Sequence, residues 1–198
     1  VIAIVTYGEL GMGFLIEWPA IGGGCQRLST GWYIRPGMAS ATQLPASGAW
    51  RPGDEPGKRK FFTFATDRRF ALDSGAALSD VTVAYETWGR LNADASNAVL
   101  LCHAWTGDSH ASGSAGRGHS TPGWWNDTVG PGKPIDTDKY FVVCANVLGG
   151  CQGSTGPASP HPDDGVPYGS RFPVVTIRDM VRSQARLMED LGIGRWLS

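Results

Sequence analysis

Long apolar runs, internal repeats and blocks of like charge are all missing from this 198-residue sequence. A membrane-spanning helix requires about 18 or more consecutive apolar residues, and no such run occurs. With 17 basic and 18 acidic residues, the formal net charge is -1. A nucleic-acid-binding face would need an excess of basic residues. We therefore expect neither a nucleic-acid partner nor a membrane attachment.

Cysteines are few, and their spacing does not suit a metal or a disulfide framework. The four are Cys25, Cys102, Cys144 and Cys151. Zinc prefers closely spaced cysteine or histidine pairs, which are not found here. Cys102 and Cys144 end apolar runs, so we interpret both as buried free thiols. Such usage is typical of a reducing compartment, which predicts a cytoplasmic protein.

Ligand-like spacing is also lacking among the histidines and in the glycine-rich segments. His103, His110 and His119 lie near Asp108 in the sequence, but their spacings match no common metal motif. The segment 146–157 carries four glycines yet has neither a lysine nor the spacing of a phosphate-binding loop. We interpret all of these as loop residues and expect no metal, no nucleotide and no other cofactor.

The first 60 residues differ from the rest in composition. They are rich in Gly, Pro, Ser and Trp and show neither strand nor helix periodicity. We predict a leader over residues 1–60, flexible at least over 45–60, ahead of a domain over residues 61–198. The sequence resembles an ordinary N-terminus only from Met38, so residues 1–37 are interpreted as lying upstream of the native start.

From residue 61 onward, the patterning predicts an α/β domain. We expect an edge strand or hairpin over 61–72, an alternating strand over 81–88, and fully buried strands over 98–102 and 140–145. A helix is predicted over 176–191, with Thr176 and Asp179 forming a capping box. Its apolar stripe is Ile177, Met180, Val181, Leu187, Met188 and Leu191, with Gln184 the one polar member.

Two long connections, 103–139 and 146–175, follow the two buried strands. Long loops in a compact domain are usually functional, and open α/β sheets bind ligands at the carboxyl ends of their strands. The pair Trp124 and Trp125 in the first loop is interpreted as packing that loop onto the domain, with a stacking surface as the alternative. The sequence thus predicts a site built from these two loops.

The segment His103-Ala-Trp-Thr-Gly-Asp108 opens the first loop directly after a buried strand. Acyl-transfer enzymes need main-chain N–H groups aimed at the oxyanion of the tetrahedral intermediate. The candidate catalytic group is the main-chain N–H of Trp105, while the His103 side chain is expected to hold the loop by hydrogen bonds. Ala104, Thr106 and Gly107 are candidate substrate-binding residues.

At these residues, the sequence resembles the homoserine O-acetyltransferase family. The matching segments are residues 83–92, 97–110, 123–125, 130–133, 136–141, 146–157 and 168–179. They occur in order and extend over the region from residue 61 to 198. Together they are much more specific than any one motif.

The resemblance implies an α/β-hydrolase fold, of which this chain holds the N-terminal part: an incomplete, mostly parallel sheet with flanking helices. It implies transfer of acetyl from acetyl-CoA, a co-substrate, to L-homoserine in methionine biosynthesis. The family works through an acyl-serine with a Ser-His-Asp triad and without metal. It is usually cytoplasmic and homodimeric.

Two departures from the family pattern bear on these expectations. The family commonly has Leu where Trp105 stands, which leaves a succinyl-CoA donor or an L-serine acceptor as alternatives. No G-x-S-x-G motif occurs in the chain, so it is expected to stop before the nucleophile and to be inactive alone. An esterase, or an inactive remnant or binding module, are the remaining alternatives. An incomplete sheet with exposed apolar edges is also expected to be poorly soluble.

Overall fold

A computed structural model describes residues 48–198 of the chain. Cys25, Met38 and the interpretation of residues 1–37 lie outside the described residues. The elements are β1 (Lys60–Phe64), β2 (Phe70–Ala71), β3 (Ala77–Leu78), β4 (Val81–Trp88), β5 (Ala98–Leu101), β6 (Val129–Gly130), β7 (Ile135–Asp136), β8 (Phe141–Ala145), a 3-10 turn (Gly169–Arg171) and α1 (Ile177–Asp190). The boundary of the leader at residue 60 stays a prediction.

The main sheet confirms the α/β class and places its strands in the order β1-β4-β8-β5. β1 pairs with β4, and β4 with β8, in antiparallel fashion, whereas β5 pairs with β8 in parallel. Within residues 48–198 the sheet is therefore mixed, which corrects the expectation of a mostly parallel one. The reason is local: the chain enters the sheet through two antiparallel strands, and the parallel order starts at β5.

One face of this sheet is covered by α1. Side chains alternate across a strand, so Val83 and Tyr85 of β4 face the same way. With Val143 and Ala145 of β8, they form a buried cluster that receives Leu187 of α1. The opposite face of the sheet buries a second apolar cluster, of Val99, Leu101, Val142, Cys144, Ala111 and Val129. Two of these residues, Ala111 and Val129, come from the connection that follows β5.

The predicted cap of α1 is confirmed, but its buried face is rotated from the predicted stripe. The Thr176 hydroxyl accepts the Asp179 N–H, and the Asp179 carboxylate accepts the Thr176 N–H. Asp179, Ser183 and Leu187 are buried, whereas Ile177 is 73 % exposed and Val181 56 %. Asp179 also accepts the Asp73 N–H across the domain. Because that contact turns Asp179 inward, Ile177 and Val181 face outward.

Three cysteines fall in the described residues, and all three are free thiols. Cys144 is buried, as predicted, and burial raises the pKa of its thiol well above the usual range. The prediction of a buried Cys102 is wrong, because this residue is exposed. It follows the last residue of β5, Leu101, and so lies at the open carboxyl edge of the sheet.

The outer edge of β5 is not left unpaired. The Leu197 N–H donates to the Ala98 carbonyl at 2.7 Å, and the Leu100 N–H donates to the Ser198 carbonyl at 2.9 Å. Residues 197 and 198 therefore run beside β5 in the same direction. Among residues 48–198, no helix is long and apolar enough to cross a membrane.

Candidate active-site loops

Two loops leave the carboxyl ends of the neighbouring parallel strands β5 and β8. We call residues 102–128 the β5 loop and residues 146–157 the β8 loop. Because the two strands are parallel and adjacent, their carboxyl ends open at the same edge of the sheet. This is the edge at which α/β sheets bind ligands.

His103 uses both ring nitrogens, one within the β5 loop and one to join it to the β8 loop. Nδ1 lies 2.8 Å from the Ala104 carbonyl oxygen, and Nε2 accepts the Val147 N–H at 3.2 Å. The ring is thus the neutral tautomer that carries its proton on Nδ1, since a carbonyl oxygen can only accept. The prediction that His103 holds the loop is confirmed. Both nitrogens are engaged, so the ring is not placed to act as a base.

The tip of the β5 loop is a tight turn that projects into solvent. The Gly107 N–H donates to the Ala104 carbonyl at 2.9 Å, which closes the turn. Ala104, Trp105 and Thr106 are exposed, and the Trp105 side chain is 99 % exposed. No residue within 48–198 accepts a hydrogen bond from the Trp105 N–H. The donor that the sequence singled out is therefore available to an incoming oxygen.

Asp108 anchors the far end of this turn to a buried arginine. Arg59 has only 2 % of its side chain exposed, and its Nη2 donates to Asp108 Oδ2 at 3.0 Å. The same Nη2 donates to Gln152 Oε1 of the β8 loop at 2.9 Å. Nη1 donates to the Gly118 carbonyl at 2.7 Å. One guanidinium thereby joins two sections of the β5 loop to the β8 loop.

A second buried cluster lies beside this arginine and consists of Glu86, His110 and His119. His110 Nδ1 lies 2.9 Å from Glu86 Oε2, and the Ser109 hydroxyl donates to Glu86 Oε1 at 3.3 Å. His119 Nε2 accepts the Lys58 N–H at 3.1 Å. The two imidazole rings stack, with centroids 3.7 Å apart and an angle of 11° between their planes.

Burial sets the protonation of this cluster. Desolvation raises the pKa of Glu86, and the hydrogen bond and charge of His110, together with the charge of Arg59, offset only part of that rise. Desolvation and the charges of His110 and Arg59 lower the pKa of His119 to about 4. His119 is therefore neutral at neutral pH. Its Nε2 lies 3.4 Å from Glu86 Oε1.

The cluster resembles a metal-ligand set by composition but not by geometry. One ligand atom from each of Glu86, His110 and His119 lies within 4.8 Å of the others. An imidazole binds a metal along the lone pair in its ring plane. The two rings are nearly parallel, and their centroids lie 3.7 Å apart. Lone pairs in two such ring planes do not point to a common position. The rings are therefore not arranged to coordinate one ion.

The β8 loop is fastened to β4 by side-chain oxygens. The Ser154 hydroxyl accepts the Ala84 N–H at 2.9 Å and donates to the Asn146 carbonyl at 2.6 Å. The Thr155 hydroxyl accepts the Thr82 N–H at 2.8 Å. A side chain on Gly156 would lie 2.5 Å from the Gly150 carbonyl oxygen, so the loop needs glycine there. A close approach of two backbone sections within the segment thus explains this glycine.

The tryptophan pair packs the β5 loop against itself. Trp124 Nε1 donates to the Asp108 carbonyl at 3.0 Å, and the Trp125 N–H donates to the Ala111 carbonyl at 2.8 Å. The indole rings lie 5.2 Å apart at a tilt of 42°. These contacts support a packing role within the loop, while both residues keep exposed surface, 36 % for Trp124 and 37 % for Trp125.

Sequence reasoning missed Arg59 and Glu86. Arg59 fell in the presumed leader, and its partners lie 49 and 93 residues away. Glu86 lies on the face of β4 that alternation assigns to polar residues. Ala84 and Trp88 lie on that same face, and two apolar residues there signal a second covering layer. That signal could have identified Glu86 as buried.

Comparison with known proteins finds relatives of this framework. Over 153 residues the chain is 57 % identical to the homoserine O-acetyltransferase of Thermobifida fusca. The chain is homologous to the homoserine O-acetyltransferases. The match covers 77 % of this chain and 40 % of that relative, so the chain spans about two fifths of the length of its curated relative. No family model matches the chain.

Solved structures agree with this relationship and establish the α/β-hydrolase fold. The homoserine O-acetyltransferase of Bacillus anthracis superposes with a TM-score of 0.62 at 36 % identity, over 70 % of this chain and 38 % of that one. Esterase E22 superposes with a TM-score of 0.63 at 39 % identity, over the same shares of the two chains. The same framework therefore occurs in proteins named for acyl transfer and for ester hydrolysis.

Proposed function

We propose that the protein containing this chain is a homoserine O-acetyltransferase, which transfers the acetyl group of acetyl-CoA to the hydroxyl group of L-homoserine. The observation that carries the proposal is the 57 % identity to the Thermobifida fusca homoserine O-acetyltransferase. Acetylation of L-homoserine activates it for methionine biosynthesis. We further propose a cytoplasmic homodimer.

The proposed mechanism proceeds in two acyl transfers through an acyl-serine. The serine attacks the thioester of acetyl-CoA, CoA leaves as the thiol, and the hydroxyl of L-homoserine then attacks the serine ester. No G-x-S-x-G motif occurs in the 198 residues, so the serine and its partners come from residues outside them. The chain alone is accordingly expected to be inactive.

This chain contributes one donor of the oxyanion hole. The carbonyl oxygen gains negative charge in both tetrahedral intermediates, and the Trp105 N–H is proposed to donate to it. Two observations support this role: the N–H has no acceptor among residues 48–198, and the turn that carries it follows a parallel strand.

The neighbours of Trp105 are proposed to contact the substrates. Ala104 and Thr106 are exposed on the tip, and Gly107 closes the turn. A side chain on Gly107 would lie 3.2 Å from His103 Cβ, which is tighter than ordinary contact. The Trp105 indole, which is 99 % exposed, supplies an apolar wall. Its size is the reason to test succinyl-CoA and L-serine beside the preferred pair.

The test is a CoA-release assay on the protein encoded by the complete gene. A second protein carries residues 48–198 of this chain in place of the corresponding segment of the Thermobifida fusca enzyme. We expect both to release CoA from acetyl-CoA only when L-homoserine is present, with O-acetylhomoserine identified by mass spectrometry. Parallel reactions contain succinyl-CoA or L-serine.

Two results contradict the proposal. CoA release at the same rate without L-homoserine indicates hydrolysis, as the likeness to esterase E22 allows. A hybrid that folds but forms no acyl-serine shows that these residues do not support acyl transfer. Faster turnover with succinyl-CoA or L-serine reassigns the donor or the acceptor.

The role of the Trp105 N–H is tested by Trp105→Pro, which removes that donor. We expect kcat to fall by about 100-fold, because loss of one oxyanion donor typically costs about 100- to 1,000-fold. Trp105→Leu keeps the N–H and is expected to lose far less. Equal losses in the two variants would show that the side chain, and not the N–H, carries the effect.

A further inference from the structure

The buried arginine at residue 59 has more contacts than packing requires. Its guanidinium donates to Asp108, Gln152 and the Gly118 carbonyl, at 2.7–3.0 Å. These acceptors belong to the β5 loop and the β8 loop, whereas Arg59 itself directly precedes β1. A single side chain therefore fixes the distance between the two loops that flank the candidate site.

The exposed turn between His103 and Asp108 depends on its two ends for its position. At one end, His103 accepts the Val147 N–H of the β8 loop. At the other, Asp108 is held by Arg59, which also holds Gln152 of the β8 loop. Both ends of the turn are thus tied to the β8 loop. The Trp105 N–H lies between these ties.

We propose that Arg59 is a positioning residue, which holds the turn so that the Trp105 N–H meets the oxyanion during acyl transfer. The inference rests on the function proposed above and extends it to a residue that contacts no substrate. Oxyanion donors act only at about 2.7–3.1 Å from the charged oxygen, so a shift of about 1 Å in the turn costs much of the rate.

An arginine suits this task because its planar fork presents several donors in fixed directions. Nη2 is shared between Asp108 and Gln152, while Nη1 points to Gly118. A lysine has a single ammonium group and cannot hold all three acceptors at these distances. Stability alone does not require a buried ion pair here, since replacing both members of such a pair by apolar groups is often neutral, whereas removing one member leaves the other unpaired.

The test compares Arg59→Met, Arg59→Lys and Asp108→Asn in the protein encoded by the complete gene. The matched control is Arg117→Met, because Arg117 lies in the β5 loop, as Asp108 does, but is 89 % exposed in its surface pair with Glu55. Active sites are counted by the burst of acyl-enzyme from p-nitrophenyl acetate, so that unfolded protein does not enter kcat. Both kcat and KM are measured with acetyl-CoA and L-homoserine.

We expect Arg59→Met to lower kcat per active site by about 30- to 100-fold, with KM changed less than about twofold. Arg59→Lys is expected to recover part of that loss, and Asp108→Asn to reproduce a smaller part of it. Arg117→Met keeps the unmodified rate. A kcat loss at constant KM is the signature of lost transition-state stabilisation and not of lost binding.

Unchanged kcat per active site in Arg59→Met, with only a lower melting temperature, overturns the positioning role. Failure of the proposed function is seen separately, in the unmodified protein. If that protein hydrolyses p-nitrophenyl acetate but does not acetylate L-homoserine, the function is wrong. The positioning role is then decided by the hydrolysis rate, whose intermediate uses the same donors. An unmodified protein inactive in both reactions overturns both proposals.

Discussion

One face of the main sheet packs against α1, and the other packs against the connection that follows β5. Both coverings bury an apolar cluster, but the second adds buried polar cross-links to it. On the α1 side, Leu187 enters an apolar cluster formed with Val83 and Val143. On the loop side, buried polar groups cross-link segments that are far apart in sequence, as in the pairs of Arg59 with Asp108 and of His110 with Glu86.

This difference means that the α1 side mainly stabilises the fold, whereas the polar contacts of the other side fix the position of the loops. Apolar burial is not directional, so a helix can be covered and stabilised with some freedom in its position. Hydrogen bonds and ion pairs act only over narrow distances and angles, so they fix where a loop lies. We therefore expect changes on the α1 side to act mainly on the free energy of unfolding. Changes on the loop side should act on activity or on pH dependence.

The largest stability effect is expected for Leu187→Ala on the α1 side. Leu187 is 1 % exposed, and truncating such a buried leucine costs about 3 kcal/mol. The free energy of unfolding is measured by urea titration. The matched control is Val181→Ala, since Val181 belonged to the predicted stripe but is 56 % exposed. We expect Val181→Ala to change the free energy of unfolding by less than about 0.5 kcal/mol. Equal costs for both variants would show that the predicted stripe is the buried face of α1.

A smaller effect, limited to acid, is expected for His119→Gln on the loop side. The pKa of His119 is lowered to about 4 in the fold, against about 6.5 in the unfolded chain. The unfolded chain therefore binds more protons between these values, and the fold loses stability as the pH falls through this window. Glutamine removes this loss while keeping an acceptor for the Lys58 N–H.

Urea titrations from about pH 7 to about pH 4.5 measure this difference, and the unmodified protein should lose about 2 kcal/mol more than the variant. Glu86 titrates in the opposite sense, since burial raises its pKa and the fold then keeps a proton that the unfolded chain releases. Glu86 keeps its hydrogen bond to His110 in both proteins, so its contribution works against the expected loss in both. Parallel pH curves would show that His119 is not desolvated.

The smallest of the three effects is expected for Ser154→Ala, which removes one of the contacts between the β8 loop and β4. The hydroxyl bonds the Ala84 N–H and the Asn146 carbonyl, and leaving such groups unpaired costs about 1–2 kcal/mol. Ser120→Ala, at an exposed position of the β5 loop, serves as the control and should change little. A loss in acyl transfer larger than the loss in stability would strengthen the separation between the two faces.

The regular elements were predictable because their periodicity is local. The strand over 81–88 and the helix with its Thr176 cap are observed where the pattern placed them. The rotation of α1 could not be read from the pattern, since it depends on the contact of Asp179 with Asp73, 106 residues away. Alternation also failed to show that both faces of β4 are covered.

Only those parts of the candidate site that lie in motifs or at strand ends could be predicted from the sequence. The roles of His103 as a loop anchor and of the glycines in 146–157 follow from residues next to one another. Arg59 carries no such local signal, because three partners from two distant loops meet it only in the folded chain. The burial of Glu86 could have been predicted from Ala84 and Trp88, but its partner His110, 24 residues further along, could not.

Because Arg59 is enclosed, the rate of trypsin cleavage after it can report how often the two loops open. Trypsin cleaves after arginine and lysine, and must draw the side chain into its own pocket to do so. Lys58 is exposed, whereas the Arg59 side chain is 2 % exposed and bonded to both loops. Cleavage after Arg59 therefore requires the loops to separate first, so its rate reports how often they open. A bound substrate that closes the loops should slow cleavage at this one bond.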